Sequence, residues 1–291
     1  MTEENKKLLA DIIAKYKELQ PLIKEAQEIL LKERQAWPKS KPDNQLLKNM
    51  SKWEIMFDAL NRASNVSLNT MNKKVLLIGC NDPYLPDHYA SEADLVVSYN
   101  RKTNWPDFDN RKNNLIFTDN LEEVVPRAPY DLVIYWDILD HYFEDYITPR
   151  YDLSERLDEN QLHLLEIGKS LLFPHSKMFI RCHPWFSRQG GHLNDNIAYN
   201  HLFIKDEEYL GLLDDDNLIT HRIYDPIAYY KKLVNSINPS VVESYIIENK
   251  PEPEIADLLL IHVRPTWPVN ISDEQLLGIL STEYIDFMLT F

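Results

Sequence analysis

The sequence predicts an α/β fold built on a mainly parallel β-sheet, and three observations support this. Short, continuous apolar runs recur from residue 74 onward, and helical patterns separate several of them. Such runs are typical of buried parallel strands. The first run ends at Gly79, as expected of a strand whose carboxyl end borders a ligand crevice. Only nine residues, which include the turn-like Asn249–Pro253, separate the last two runs; this is too short for a parallel crossover and predicts a closing antiparallel hairpin.

Seven strands are predicted in this part of the chain. They lie at 74–79, 94–99, 113–118, 131–136, 177–182, 241–247 and 257–263. Helical spacing of apolar residues predicts helices at 120–125, 157–173 and 225–237. The last of these begins at Asp225 with Pro226 at its first position, a common helix start. Strands that alternate with helices imply right-handed crossovers between parallel neighbours.

The chain before the sheet is predicted to be helical. Apolar residues at steps of three and four predict a helix at 3–35, with a kink or break at Pro21. A linker at 37–43 leads to a second predicted helix at 44–64. The first helix either packs on its own domain or contacts a partner or a second copy. The predicted organisation is an N-terminal helical arm and linker at 1–42, an α/β domain at 43–265 and a C-terminal helical tail at 266–291.

Composition limits the classes of function. The 291-residue chain has a formal net charge of −15, which argues against a broad nucleic-acid surface because such surfaces are usually basic. The sequence contains neither a run of 18 apolar residues nor an apolar N-terminal segment, so no membrane span or secretory signal is predicted. Two cysteines, Cys80 and Cys182, give no disulfide framework and favour a reducing, cytoplasmic location.

A seven-stranded, Rossmann-like sheet with a terminal antiparallel hairpin resembles the class I S-adenosylmethionine-dependent methyltransferases. The resemblance covers about residues 72–264 and rests on strand order more than on sharp motifs. It implies that the loop after the first strand holds the methionine part of the cofactor, and that the ends of the second and third strands contact the ribose and the adenine. The cofactor-binding positions so implied are Gly79, Asn81, Asp82, Asn100 and Asp119.

A narrower resemblance is to viral, poxvirus-like cap ribose 2′-O-methyltransferases. These enzymes use a Lys–Asp–Lys–Glu set, in which a lysine lowers the effective pKa of the ribose hydroxyl. By position, the corresponding residues here are Lys52 (or Lys48), Asp137, Lys177 and Glu254. This version implies a capped RNA 5′ end as acceptor and a location in the host cytoplasm or the virion. If the protein is a methyltransferase without this Lys–Asp–Lys–Glu set, Asp137 or His183 is the general base.

The densest chemical patch of the sequence is residues 181–192, RCHPWFSRQGGH. Arg181, Trp185 and Arg188 are predicted to contact the substrate, because arginine with tryptophan suits a planar base or an anionic group. The alternative is a long loop whose proline and tryptophan pack over the sheet edge. No metal site is predicted, since the cysteines and histidines here lack the spacing of metal ligands.

The predicted function is methyl transfer from S-adenosylmethionine to a hydroxyl or nitrogen acceptor, either a small molecule or an RNA 5′ end. Two alternatives stay open. A methyltransferase-like interaction or structural subunit without activity fits the single glycine of the loop at 79–83, where the family is glycine-rich. A nucleotide-sugar glycosyltransferase fits a likeness of VVSYNRK to sialyltransferase sheets, although the terminal hairpin argues against it.

Overall fold

The computed structural model describes residues 68–80, 84–100, 112–139, 157–188, 190, 199–203, 223–267 and 270–291. Its strands are β1 (Lys74–Ile78), β2 (Leu95–Tyr99), β3 (Leu115–Thr118), β4 (Tyr130–Trp136), β5 (Leu172–Cys182), β6 (Val241–Glu248) and β7 (Thr282–Thr290). They form one seven-stranded sheet in the order β3-β2-β1-β4-β5-β7-β6. The first five are parallel, and β7 runs antiparallel between β5 and β6. The predicted Rossmann-like, mainly parallel fold is therefore confirmed.

Six helices surround this sheet within the described ranges. They are α1 (Tyr84–Tyr89), α2 (Leu121–Val124), α3 (Glu159–Ser170), α4 (Pro226–Ser236), α5 (Pro253–Val263) and α6 (Asp273–Ser281). Side-chain caps fix several of their starts, because a capping oxygen satisfies backbone N–H groups that have no partner inside the helix. Asp158 caps α3, Asp225 caps α4 as predicted, and Ser272 forms a capping box with Gln275 in α6. No described helix is long and apolar enough to cross a membrane.

The prediction for the last strand was wrong. The apolar run at 257–263 lies in α5, which has Pro253 at its first position. The seventh strand is Thr282–Thr290, in the segment predicted as a helical tail, while 273–281 is helical as expected. The strands β6 and β7 are antiparallel neighbours, but residues 249–281 link them instead of the predicted short connection. A short apolar run does not by itself distinguish a buried helix from a strand, which explains the error.

Apolar side chains cover both faces of the sheet. On one face, Leu165 of α3 and Leu233 of α4 are fully buried against the strands. On the other face, Leu85 and Tyr89 of α1 are buried against strand residues such as Phe179. This packing fixes the sheet, in which the carboxyl ends of the parallel strands lie at one common edge.

A third apolar cluster, the α5–α6 layer, joins these two helices to the chain that follows β5. It contains Leu259 and Leu276 from the helices together with Trp185, Phe186 and Trp267. The rings of Phe186 and Trp267 lie 4.6 Å apart. The residues inserted between β6 and β7 therefore pack beside the carboxyl end of β5.

Several predictions fall outside the described residues. They are the helices at 3–35 and 44–64, the domain boundary at 42, self-association through the first helix, and the roles of Lys48, Lys52, Asn81 and Asp82. These remain predictions.

Candidate functional site

The sheet order reverses between β1 and β4, which are hydrogen-bonded neighbours. In open α/β sheets, the crevice outside the carboxyl ends of the strands at such a reversal is where ligands bind. Because β7 is antiparallel, its beginning lies at the same edge as the carboxyl ends of β4 and β5. The described polar or special residues at this edge are Gly79, Asn100, Asp119, Asp137, His183 and Glu283.

His183, just beyond β5, lies between two carboxylates. Its Nδ1 is 3.7 Å from Oδ2 of Asp137, and its Nε2 is 3.6 Å from Oε1 of Glu283. The ring of Tyr284 stacks on the imidazole at 4.8 Å with an angle of 32° between the planes. The histidine is only 4% exposed. We name His183, Asp137, Glu283 and Tyr284 the His183 cluster, and it has the components of an oriented proton acceptor.

Asp137 occupies a backbone conformation that positions its carboxylate. Its φ of +55° lies in the left-handed region, which aspartate tolerates better than most residues. Its backbone N–H donates to the carbonyl of Arg181 at 3.1 Å, so the chain leaves β4 while still attached to β5. Such strained conformations cluster at functional sites, and here it turns Asp137 toward His183.

Arg181, which was predicted to contact the substrate, is 1% exposed and forms a buried pair with Asp286. Its Nε and Nη2 donate to the two carboxylate oxygens at 2.8 and 2.6 Å. The guanidinium carbon also lies 4.4 Å from the ring centre of Trp136 and 4.9 Å from that of Tyr284. This bidentate pair holds Arg181 as a fixed cation next to the His183 cluster, and it leaves Nη1 buried without a hydrogen-bond partner.

Electrostatics keep this cation charged despite its burial. Burial alone lowers the pKa of Arg181, but the hydrogen bonds and the negative charge of Asp286 outweigh it and raise the pKa above the ordinary arginine value. Burial raises the pKa of Asp286, and the contact with Arg181 opposes that rise. Burial also raises the pKa of Tyr89, so its phenol stays neutral.

The half of the edge formed by β1, β2 and β3 has the positions predicted to hold a cofactor. Gly79 has a φ of +79°, and a Cβ there would lie 2.3 Å from Cγ1 of Ile138, so only glycine fits. Asn100 follows β2 and is largely buried, and its backbone N–H donates to the carbonyl of Thr118. Asp119 is exposed beyond β3. The side chain of Ile138 therefore borders the crevice directly at Gly79.

Of the predicted Lys–Asp–Lys–Glu set, the described Lys177 does not lie with Asp137. Lys177 pairs with Leu132 near the other end of the sheet, four residues before Arg181 and hence roughly 13 Å along the strand. Lys177 is exposed, and so is Glu254 in the first turn of α5. Asp137 directly follows β4 at the carboxyl edge, and Glu254 follows the carboxyl end of β6 by six residues.

In the loop after β5, Trp185 has a packing role, as in the alternative to substrate contact. This side chain is 5% exposed and meets the ring of His201 edge-on at 5.1 Å, inside the α5–α6 layer. Arg188 is exposed farther along the same loop. Of the three predicted substrate contacts, Arg188 is the one that the fold leaves accessible.

Sequence reasoning missed three residues of β7, namely Glu283, Tyr284 and Asp286. All three lie in the segment that was interpreted as a helical tail. The available signal was the enrichment of TEYIDFML in aromatic and β-branched residues, which favour strands. Among the described residues, no group of three His, Cys, Asp or Glu side chains has an arrangement that could hold a metal ion.

No family model matches the sequence, and no curated protein is significantly similar to it. A solved S-adenosylmethionine-dependent methyltransferase from Archaeoglobus fulgidus has 14% identity and a TM-score of 0.46, over 86% of this chain and 100% of that chain. The plantazolicin methyltransferase BpumL, solved with a monoazolic desmethylPZN analogue and SAH, has 15% identity and a TM-score of 0.44, over 94% of this chain and 98% of that chain. An S-adenosylmethionine-dependent methyltransferase from Mesorhizobium loti has 11% identity and a TM-score of 0.44, over 79% of this chain and 96% of that chain. The fold assignment itself rests on the strand order.

Proposed function

We propose that this protein is an S-adenosylmethionine-dependent methyltransferase that acts on a hydroxyl or nitrogen acceptor. The observation that carries the proposal is the His183 cluster, which lies at the carboxyl edge beside the β1/β4 crevice. S-adenosylmethionine supplies an activated methyl group, so the protein has to align an acceptor and remove its proton. A buried histidine between two carboxylates suits the second task.

The described residues fit the cofactor at two positions. Gly79 has no side chain and has a positive φ, which allows a ligand to approach the backbone closely. The amide of Asn100 lies at the end of β2, where it can hydrogen-bond ribose hydroxyls. Asp119 is accessible for a further polar contact.

The His183 cluster can move a proton as follows. At Nε2, in place of its contact with Glu283, the imidazole would take the proton of the acceptor group; bound S-adenosylmethionine would supply the methyl group and leave as S-adenosylhomocysteine. Asp137 and Glu283 orient the ring and stabilise the imidazolium that forms, and Tyr284 holds its plane. Burial of the ring keeps bulk water away from this proton, which strengthens the electrostatic effect of both carboxylates.

Calorimetric titration with S-adenosylhomocysteine tests the cofactor assignment. We expect saturable binding by the wild-type protein and weaker binding by Asn100→Leu, which removes the polar group at the end of β2. Lys177→Leu is the matched control, because this exposed residue lies near the opposite end of the sheet. Absence of heat at millimolar ligand would rule out the proposal.

Transfer of a labelled methyl group tests the reaction. The acceptor panel should contain small alcohols, phenols and amines, together with capped and uncapped RNA 5′ ends. Capped RNA belongs there because the narrower resemblance implied it, although Lys177 lies near the other end of the sheet. Cofactor binding without transfer to any acceptor class would favour the second candidate function.

That second candidate is a methyltransferase-like subunit without activity, and the contact between Gly79 and Ile138 supports it. A side chain packed at this point narrows the space that a methionine moiety needs. The variant Ile138→Ala separates the two candidates. If only this variant binds S-adenosylhomocysteine, the natural crevice is closed and the inactive subunit is correct. If the wild-type protein binds equally well, the methyltransferase assignment stands.

A further inference from the structure

Strand β6 is an open edge of the sheet. It pairs with β7 along one side, and it is the last strand in the sheet order. None of the residues that the structure describes hydrogen-bonds to the other side of β6. An edge strand has a row of backbone N–H and C=O groups that can pair with another strand.

Natural proteins usually protect such an edge with lysine, proline, a bulge or a covering loop. The eight residues Val241–Glu248 include no lysine and no proline. Val241 and Ile246 are exposed by 49% and 47%, although both are apolar. The strand is thus long, apolar and accessible, and its only charges are those of Glu243 and Glu248.

We propose that β6 pairs antiparallel with β6 of a second copy of this chain, around a two-fold axis at Ser244. The two seven-stranded sheets would then continue into each other. This surface is independent of the proposed methyl transfer. It also differs from the association predicted for the helix at 3–35.

The sequence of β6 is complementary to itself in this register. Residues that face each other across an antiparallel pair must point to the same face of the sheet, so a two-fold axis has to pass through a residue. With the axis at Ser244, Val242 faces Ile246 of the second copy, and Val241 faces Ile247. These are apolar pairs on both faces of the strand.

The positions of the two glutamates in β6 also favour the register with the axis at Ser244. With the axis at Ser244, Glu243 faces Tyr245 of the second copy, and a tyrosine hydroxyl is a suitable donor to this carboxylate. Within one chain the Tyr245 hydroxyl already donates to Glu243 at 2.7 Å. An axis at Glu243 would place two like charges opposite each other, and an axis at Tyr245 would place both glutamates opposite apolar residues.

The net charge of −15 opposes the association of two copies. Salt screens this long-range repulsion but does not weaken apolar contacts or backbone hydrogen bonds to the same degree. The dimer should therefore become tighter as the ionic strength rises from low values. This is the reverse of what an interface built from salt bridges would show.

Disulfide trapping of the full chain tests the register. Ser244→Cys places two thiols opposite each other, with Cα atoms about 5 Å apart, which is within the range of a disulfide. Val241→Cys is the matched control, because its two copies would lie roughly 20 Å apart in this register. Cys80 and Cys182 are fully buried, so they add little background.

We expect oxidation to convert Ser244→Cys to a covalent dimer at least tenfold faster than Val241→Cys. Equal rates for the two variants, or no dimer from either, would overturn the proposal. Mass measurement by light scattering provides a second test without cysteines. Ile246→Lys should shift the protein to the monomer, whereas Leu258→Lys, at an equally exposed position of α5, should not. A wild-type monomer at all concentrations would also overturn it.

Discussion

The two halves of the carboxyl edge differ in how they are built. At the ends of β4 and β5 and the start of β7, Asp137 and Glu283 each lie within ion-pair distance of His183, next to the buried pair of Arg181 and Asp286. At the ends of β1, β2 and β3, the described residues offer a glycine, an amide and an exposed carboxylate. The first half is built from charged side chains in fixed contact. The second half depends mainly on the backbone conformation at Gly79. Substitutions should therefore act through different mechanisms in the two halves.

The largest expected effect is on the charged half. Arg181→Met leaves Asp286 buried without its cation, which should lower the free energy of unfolding by about 3–5 kcal/mol. Urea denaturation measures this difference. The double variant Arg181→Met with Asp286→Leu should recover most of it, because it removes both charges. A single variant as stable as the wild-type protein would show that the pair contributes nothing.

A smaller loss of stability is expected at Gly79, where the backbone conformation and the nearby Ile138 exclude a side chain. Gly79→Ala forces a side chain onto a residue with a φ of +79° and against Ile138, which should cost about 1–3 kcal/mol. Thermal unfolding of the single variant and of its combination with Ile138→Ala measures the two contributions. The second substitution should recover the part due to the clash and leave the part due to φ. A fully stable Gly79→Ala would contradict the tight approach of Ile138.

The smallest effect is expected at Ser98 in β2. Its hydroxyl is fully buried and has no hydrogen-bond partner. Ser98→Ala removes this unsatisfied group at little cost in packing, so the free energy of unfolding should stay the same or rise by up to about 1 kcal/mol. A loss of more than about 1 kcal/mol in urea denaturation would mean that an ordered water binds the hydroxyl.

Elements that depend on interactions between residues close in sequence could be predicted, whereas those that depend on distant residues could not. Strands such as β1 and β4 are continuous apolar runs, so their local pattern was sufficient. The N-cap at Asp225 was equally local, since it acts within one helical turn. The run in α5 was misassigned because DLLLIHV fits a strand or a buried helix equally well, and its real start signal was Pro253.

The site was harder to predict because it depends on contacts between distant parts of the chain. Arg181 and Asp286 are 105 residues apart, and nothing near either residue indicates the other. The strand β7 contains this buried carboxylate, so its pattern did not look like that of a core strand. Asp137 and His183 were identified individually, whereas Glu283 was not, and the arrangement of the three requires the antiparallel insertion of β7.

The most direct test of the account compares methyl transfer by His183→Gln and by the wild-type protein, both saturated with S-adenosylmethionine. We expect His183→Gln to bind S-adenosylhomocysteine normally while its turnover falls by about 10²–10⁴-fold, the usual contribution of a general base. His88→Gln, at an exposed position of α1, is the matched control and should keep wild-type turnover. Equal turnover by His183→Gln and the wild-type protein would contradict the central claim that the His183 cluster removes the proton of the acceptor.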